Sequence, residues 1–265
     1  CCTPDAVDSA RRVAALLDIP FYLLNVEERF RTHVVEPFVA AYTAGRTPNP
    51  CLACNRHIRF GYLLRYARSL GADFLATGHY VRVLPPGDGY DRYRLLRGVD
   101  ASKDQSYVLY MLGQETLAHV RFPVGEFTKA QVREMARVRG LPAAERAESQ
   151  DLCFVAGDDY RDFLRRRAPQ AVRPGPIFDQ TGRRLGTHQG LAFYTIGQRK
   201  GLGIAAGEPL YVLEIDVGRN ALVVGPESAL GRRELTAGEV SFVSGEWPSA
   251  PLAVTAKIRY RAQDA

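Results

Sequence analysis

No stretch of this 265-residue chain approaches the roughly 20 consecutive apolar residues of a membrane span, so nothing in it reads as a transmembrane segment. No secretory signal is visible, and the chain begins at Cys1 rather than Met; it is read as a piece of a longer protein. Cysteine is scarce and odd in number, at five. That excludes a dense disulfide framework and favours cytosolic redox, metal or catalytic use. Cys51-Leu-Ala-Cys54 lacks the second CxxC pair of a four-thiol zinc site, although Cys153, Cys1, Cys2 or a histidine can complete one. A thioredoxin-like strand before the pair is also missing. Internal repeats and low-complexity segments are absent. Charge is not balanced: a net +6 and a pI near 9.1 favour a polyanionic partner such as nucleic acid, without establishing one.

What is present is concentrated in Gly45-Arg-Thr-Pro-Asn-Pro-Cys-Leu-Ala-Cys-Asn-Arg-His-Ile-Arg-Phe60. Cys51 and Cys54 follow a stiff Pro48-Asn-Pro50 turn where a helix is expected to start. Unpaired N–H groups at a helix start, with Arg56 and Arg59 nearby, are expected to favour thiolate over thiol. A third cysteine, Cys153, sits far downstream before Phe154. Sulfur chemistry is the reading. Two thiols can act as nucleophile and sulfur carrier, or three can hold corners of an iron–sulfur cluster and leave one iron open.

Periodicity supplies the frame. Thr3-Pro4-Asp5 reads as a helix start, with Ala10, Val13, Ala14 and Leu17 at helical spacing. Phe21–Val26 and Asp73–Thr77 read as buried strands, separated by a helix marked by Phe30, Val34, Phe38 and Tyr42 and a second one ending near Gly71. Thr128 with Gln131 predicts a capping box. Tyr211–Asp216 and Ala221–Val224 flank a turn and read as a hairpin. Leu252–Tyr260 reads as a further strand. Alternating strands and helices imply an α/β domain with a parallel sheet to about residue 165, then a small β-rich domain over 166–230, then the start of another β domain over 231–265. Functional groups in such sheets lie beyond the carboxyl ends of strands, where Gly78 and His79 stand, although His79 is equally a strand-end turn residue. Lys103-Asp104-Gln105-Ser106-Tyr107 is either a polar site or a solvated turn. The glycine-rich run to Ile204, with Arg199 and Lys200, is either a phosphate-contacting loop or a tight β connection.

Taken in order, Gly-Arg-Thr-Pro-Asn-Pro-x-x-x-Cys-Asn, Ala-Thr-Gly-His-Tyr, Lys-Asp-Gln-Ser-Tyr, the Cys153-Phe segment and Thr-Ile-Gly-Gln-Arg-Lys-Gly-Leu-Gly closely resemble the bacterial tRNA-specific 2-thiouridylases (the MnmA/TrmU family). The resemblance covers essentially the whole chain. It implies a partial adenine-nucleotide-hydrolase-like, Rossmann-like sheet domain that binds nucleotide, a β-rich central domain and the start of a C-terminal β-barrel. The activity it implies is replacement of the C2 oxygen of the wobble uridine by sulfur. ATP with magnesium activates that oxygen, and a persulfide supplies the sulfur.

By match, Cys54 is the nucleophile and Cys153 the persulfide carrier, with a disulfide forming between them. Gly78 is an ATP contact. Asn49, Pro50, Cys51, His79, Lys103, Asp104, Gln105, Arg259 and Tyr260 are tRNA contacts. Partners implied are tRNA and a persulfide-donor protein, in a monomeric cytoplasmic enzyme with no membrane association. The chain departs from the family in two ways. Some members carry Asp at the position of Cys51, which keeps an iron–sulfur cluster on Cys51, Cys54 and Cys153 open as an alternative. The Ser-Gly-Gly-x-Asp-Ser loop that grips ATP phosphates in the family is not present, so this stretch by itself is expected to be inactive. A non-catalytic tRNA- or zinc-binding module and another ATP pyrophosphatase of the same fold are the competing readings.

Overall fold

Two long helical rods carry the thiols' surroundings, and both are wider than ordinary α-helix in the middle. The computed structural model describes residues 4–145, 152–155 and 159–257. Helix α1 (Pro4–Leu16) has Asp5 in its first turn, where the exposed N–H groups favour an anion. The first rod runs as α2 (Glu27–Phe30), a π-helical stretch Arg31–Val35, and α3 (Glu36–Thr43). The second runs as α4 (Pro50–Ala53), a π-helical stretch Cys54–Leu63, and α5 (Leu64–Ser69). Gly71, at φ +85°, takes the left-handed conformation that ends it.

Strand β1 (Leu75–Ala76) pairs in parallel with β4 (Val120–Arg121), in the register Leu75↔Val120. The crossover between them holds the antiparallel pair β2 (Val81–Leu84) and β3 (Arg94–Arg97), followed by α6 (Gln114–Ala118). Helix α7 (Lys129–Val138) starts with the expected capping box between Thr128 and Gln131. Phe60, Leu64, Val81, Leu109, Leu117 and Val120 form the core of this half.

Helix α8 (Tyr160–Arg167), capped by Asp159, leads into a four-stranded sheet of order β6-β5-β8-β7. Its strands are β5 (Gly175–Asp179), β6 (Arg184–His188), β7 (Tyr211–Asp216) and β8 (Ala221–Gly225). The expected β7–β8 hairpin is antiparallel, with Asn220 at φ +49° in its turn; β5 and β8 run parallel. Phe163 and Leu164 of α8 pack with Ile177, Val212, Leu222 and Val224 into a second core that also takes Phe38 from the first rod. The class is therefore α/β with a parallel pair, followed by a β-rich unit; no sheet among the described residues closes into a barrel. No described helix is long and apolar enough to cross a membrane.

Three expected strands differ. Phe21–Val26 forms no strand, and Tyr22 and Leu23 are exposed. An apolar run becomes a strand only when a neighbour takes its N–H and C=O groups, and no described segment does so. Asp73–Thr77 shortens to β1, although the Thr77 N–H still donates to the Arg121 carbonyl at 3.0 Å. In Leu252–Tyr260, residues 252–257 form no ladder, and 258–260 lie outside the described residues. Thr3, Cys1 and Cys2 are likewise outside them.

Candidate active site

Asn49 and Pro50 start the cysteine helix for separate reasons. The Asn49 side chain accepts a hydrogen bond from the Cys51 N–H at 3.1 Å, and Pro50 takes the first helical position, where its missing N–H costs nothing. The lead-in is tied to the second half of the molecule by Thr47, whose hydroxyl lies 3.0 Å from that of Thr195. One turn later Cys54 is buried with Val34 and Ile58.

Cys153 is held against this helix by its neighbour. The Phe154 ring meets Phe30, Phe38 and Phe163 edge-on, at centroid separations of 5.8, 5.1 and 5.4 Å. The result is a cleft of about 210 Å³ whose lining includes Cys51, Cys54, Cys153, Arg59, His79 and Tyr107. None of the three cysteines is disulfide-bonded; Cys54 is buried, while Cys51 and Cys153 keep exposed surface.

The electrostatics reverse one sequence expectation. Burial pushes the Cys51, Cys54 and Cys153 thiols above their ordinary range, with Arg59 pulling each of them back. Cys54 lies past the first turn, beyond the strongest influence of the helix start. Arg56, expected to assist, is paired with Glu239 at 3.4 Å. Arg59 is the cation that faces the thiols.

His79 is buried 3.2 Å from an Arg59 Nη1, through its Nε2, and 2.7 Å from the Thr77 hydroxyl, through Nδ1. An arginine can only donate, so Nε2 accepts and Nδ1–H donates to Thr77. Burial, then Arg59, brings the His79 pKa down to about 4. The imidazole is therefore neutral near pH 7. With an unfolded value of 6.5, the unfolded chain gains a proton between pH 6.5 and 4 that the folded chain refuses. The contribution is complete above pH 6.5, and up to about 3 kcal/mol of stability should be lost on acidification to pH 4. Urea unfolding across this range checks it: His79→Gln should flatten the pH dependence, and equal slopes in both proteins would refute the assignment.

The other expected contacts divide. Gly78 is exposed past the carboxyl end of β1, with nothing within 4 Å of where a Cβ would stand. Asp104 accepts from the Gly98 and Ser106 N–H groups, so its side chain builds the loop. Gln105 pairs with the Tyr80 backbone in both directions and also lines the cleft. Pro50 lines it too, whereas Asn49, Gly78, Lys103 and Asp104 do not. Arg259 and Tyr260 lie outside the described residues. Asn55 and Tyr107, which close the Cys-Asn and Lys-Asp-Gln-Ser-Tyr motifs but were assigned no contact there, also line the cleft; Asn55 is buried and donates to the Val108 carbonyl at 3.1 Å. Among the described residues no three Cys, His, Asp or Glu side chains come together as a metal-holding group. Cys51, Cys54 and Cys153 line the cleft without forming such a group.

A family profile described as the tRNA methyl transferase HUP domain matches residues 1–157, and one described as the tRNA methyl transferase PRC-barrel domain matches residues 161–226. The chain is similar to proteins named tRNA-specific 2-thiouridylase MnmA. With that of Roseiflexus sp. it shares 56% identity over 277 residues, covering 99% of this chain and 74% of the relative. With that of Moorella thermoacetica it shares 53% over 270 residues, covering 100% and 74%. With that of Chloroflexus aurantiacus the figure is 52% over 263 residues, covering 99% and 73%.

Proposed function

Since this chain belongs to the tRNA-specific 2-thiouridylase family, we propose that it carries the sulfur-transfer site of an ATP-dependent enzyme that thiolates C2 of the wobble uridine of tRNA. The observation that carries the reading is the meeting of Cys54 and Cys153, 99 positions apart (153 − 54), in one cleft. Two facing thiols suit a sulfur relay, whereas the methyl transfer in the profiles' description needs neither.

The cleft is smaller than the roughly 300 Å³ of a drug-sized site, and so suits a single extruded base rather than a whole nucleotide. Tyr107 and Phe154 offer aromatic faces for it, with Pro50, Cys51 and Gln105 at its edges; Asn49, Lys103 and Asp104, outside the lining, remain tRNA contacts by family match alone. ATP is the substrate that makes the C2 oxygen a leaving group, and Gly78, open beyond a strand end, is the residue here suited to its approach.

Cys153, with exposed surface, receives the outer sulfur from a persulfide-donor protein. The lone pair of that sulfur attacks C2, and the activated oxygen leaves with its bonding pair. The buried Cys54, as thiolate, then attacks Cys153 Sγ. The S–S bond to the transferred sulfur breaks, its electron pair completes C2=S, and N3 of the base takes a proton from solvent. A Cys54–Cys153 disulfide remains, which a thiol reductant must reopen.

The test is tRNA incubated with purified full-length protein, ATP and a protein persulfide, followed by mass analysis of the nucleosides. We expect 2-thiouridine only when ATP is present, and at full yield from iron-free protein. Tight tRNA binding with no thiolated product would favour a non-catalytic module. Activity appearing only with reconstituted iron would overturn the persulfide route.

A further inference from the structure

Charge in the cleft is distributed in a way that the two-thiol relay does not by itself require. Arg59 is the one permanently charged side chain among the described lining residues, and no carboxylate lines the cleft with it. Nor does Arg59 form an ion pair with any described residue; its side-chain partner is the neutral His79. A guanidinium at a cleft wall with no carboxylate beside it has charge-assisted donors to offer an incoming anion.

The helix geometry aims it there. In an ordinary α-helix residues five apart are turned about 140° from each other, so Arg59 and Cys54 would face different sides. Cys54–Leu63 is π-helical, and an i→i+5 ladder stacks Arg59 over Cys54 instead. Gly61 accommodates the wide turn: a Cβ there would lie 2.5 Å from the Arg56 carbonyl oxygen. Thr77 fixes the imidazole, whose ring also meets Phe60 and Phe122 at 5.8 and 6.0 Å, and the imidazole fixes the guanidinium.

We propose that Arg59 is the counter-ion for anionic sulfur in this cleft, holding in turn the outer sulfur of the Cys153 persulfide and the Cys54 thiolate. This deepens the thiolation reading and rests on it. Arg59 stays protonated throughout and forms no covalent bond; the negative charge moves past it, first from the persulfide to the departing oxygen, then from Cys54 to the transferred sulfur. The need is physical. The same burial that raises all three thiols disfavours any sulfur anion; Arg59 is the side chain that opposes it, most directly at Cys51 and Cys54 and more weakly at Cys153.

The test uses alkylating probes of different charge on the purified protein, without tRNA or ATP. Rates of modification by iodoacetate and by neutral iodoacetamide are measured at each thiol by mass spectrometry. Arg59→Gln should lower the iodoacetate-to-iodoacetamide ratio at Cys153 about tenfold, and Arg59→Lys should keep it within about twofold. In the thiolation assay Arg59→Gln should lower kcat with little change in KM for tRNA, and Arg59→Lys should restore much of it. An unchanged probe ratio in Arg59→Gln, or a lysine variant as poor as the glutamine one, would overturn the proposal. If the wild-type protein made no 2-thiouridine while the probe ratio still followed the charge at position 59, the anion site would stand and the thiolation reading would fall.

Discussion

Cys54→Ser and Cys153→Ser, each made alone in the full-length protein, are expected to lower tRNA 2-thiolation by about 10³-fold or more. A serine at 153 cannot carry a persulfide, and a serine at 54 cannot take the Cys153 sulfur away from the base. The surroundings sharpen the expectation. Cys54 is buried beneath the cleft, so an external thiol reaches its position poorly, and rescue by added reductant should be small at 54. Cys51→Ser provides the contrast. Cys51 lines the same cleft but has no bond to make in the relay, so this variant should keep most of its activity. Nucleoside mass analysis of the tRNA reads all three. Substantial thiolation by either Cys54→Ser or Cys153→Ser would sink the two-thiol mechanism. Loss in all three would point back to a site that needs three sulfur ligands.

The pieces legible in the sequence were those set by local chemistry. Asn49 and Pro50 announce a helix start, and the structure has one there; Thr128 and Gln131 announce a capping box, and both of its hydrogen bonds are made. The β7–β8 hairpin follows from two apolar runs around a four-residue turn. What local pattern does not carry is partnership. Phe21–Val26 has strand composition, but a strand is a property of two segments, and this one has no described neighbour. The sign of the thiol shifts was missed for a related reason. The helix start and nearby arginines are visible along the chain, whereas the burial that outweighs them is created by Phe30, Val34 and Phe154 arriving from elsewhere. Arg59, expected from the sequence to favour thiolate, does act on all three thiols, but by a route the sequence does not display: at α-helical spacing it would stand on another face from Cys54, and the widened helix turns it toward the thiols.

Gly125→Ala is expected to be the most damaging single methyl in the first half of the chain, and its effect should reach the cleft. A Cβ at Gly125 would lie 1.8 Å from the Val81 carbonyl oxygen and 2.6 Å from its carbonyl carbon. Backbone cannot rotate away as a side-chain tip does. On the other side, a Cβ at Gly98 would meet the Tyr80 carbonyl oxygen at 2.7 Å, so the two glycines grip the chain between them. The Gly125 carbonyl also accepts from the Val99 N–H at 2.9 Å, which the displacement would break. Overpacking of this kind costs about 3 kcal/mol or more. The strand it pushes begins two residues after His79, and Val81 itself is fully buried in the first core. Moving it shifts His79, and through His79 the Arg59 guanidinium 3.2 Å away. Urea unfolding should therefore show a lowered midpoint, and alkylation of the folded variant should show a lowered iodoacetate preference at Cys153. Gly140→Ala is the control: that glycine is exposed with nothing within 4 Å of its Cβ position, so its cost is confined to its φ of +63° and should leave the cleft untouched. A Gly125→Ala protein as stable as the parent would mean that the close approach to Val81 is not maintained in solution.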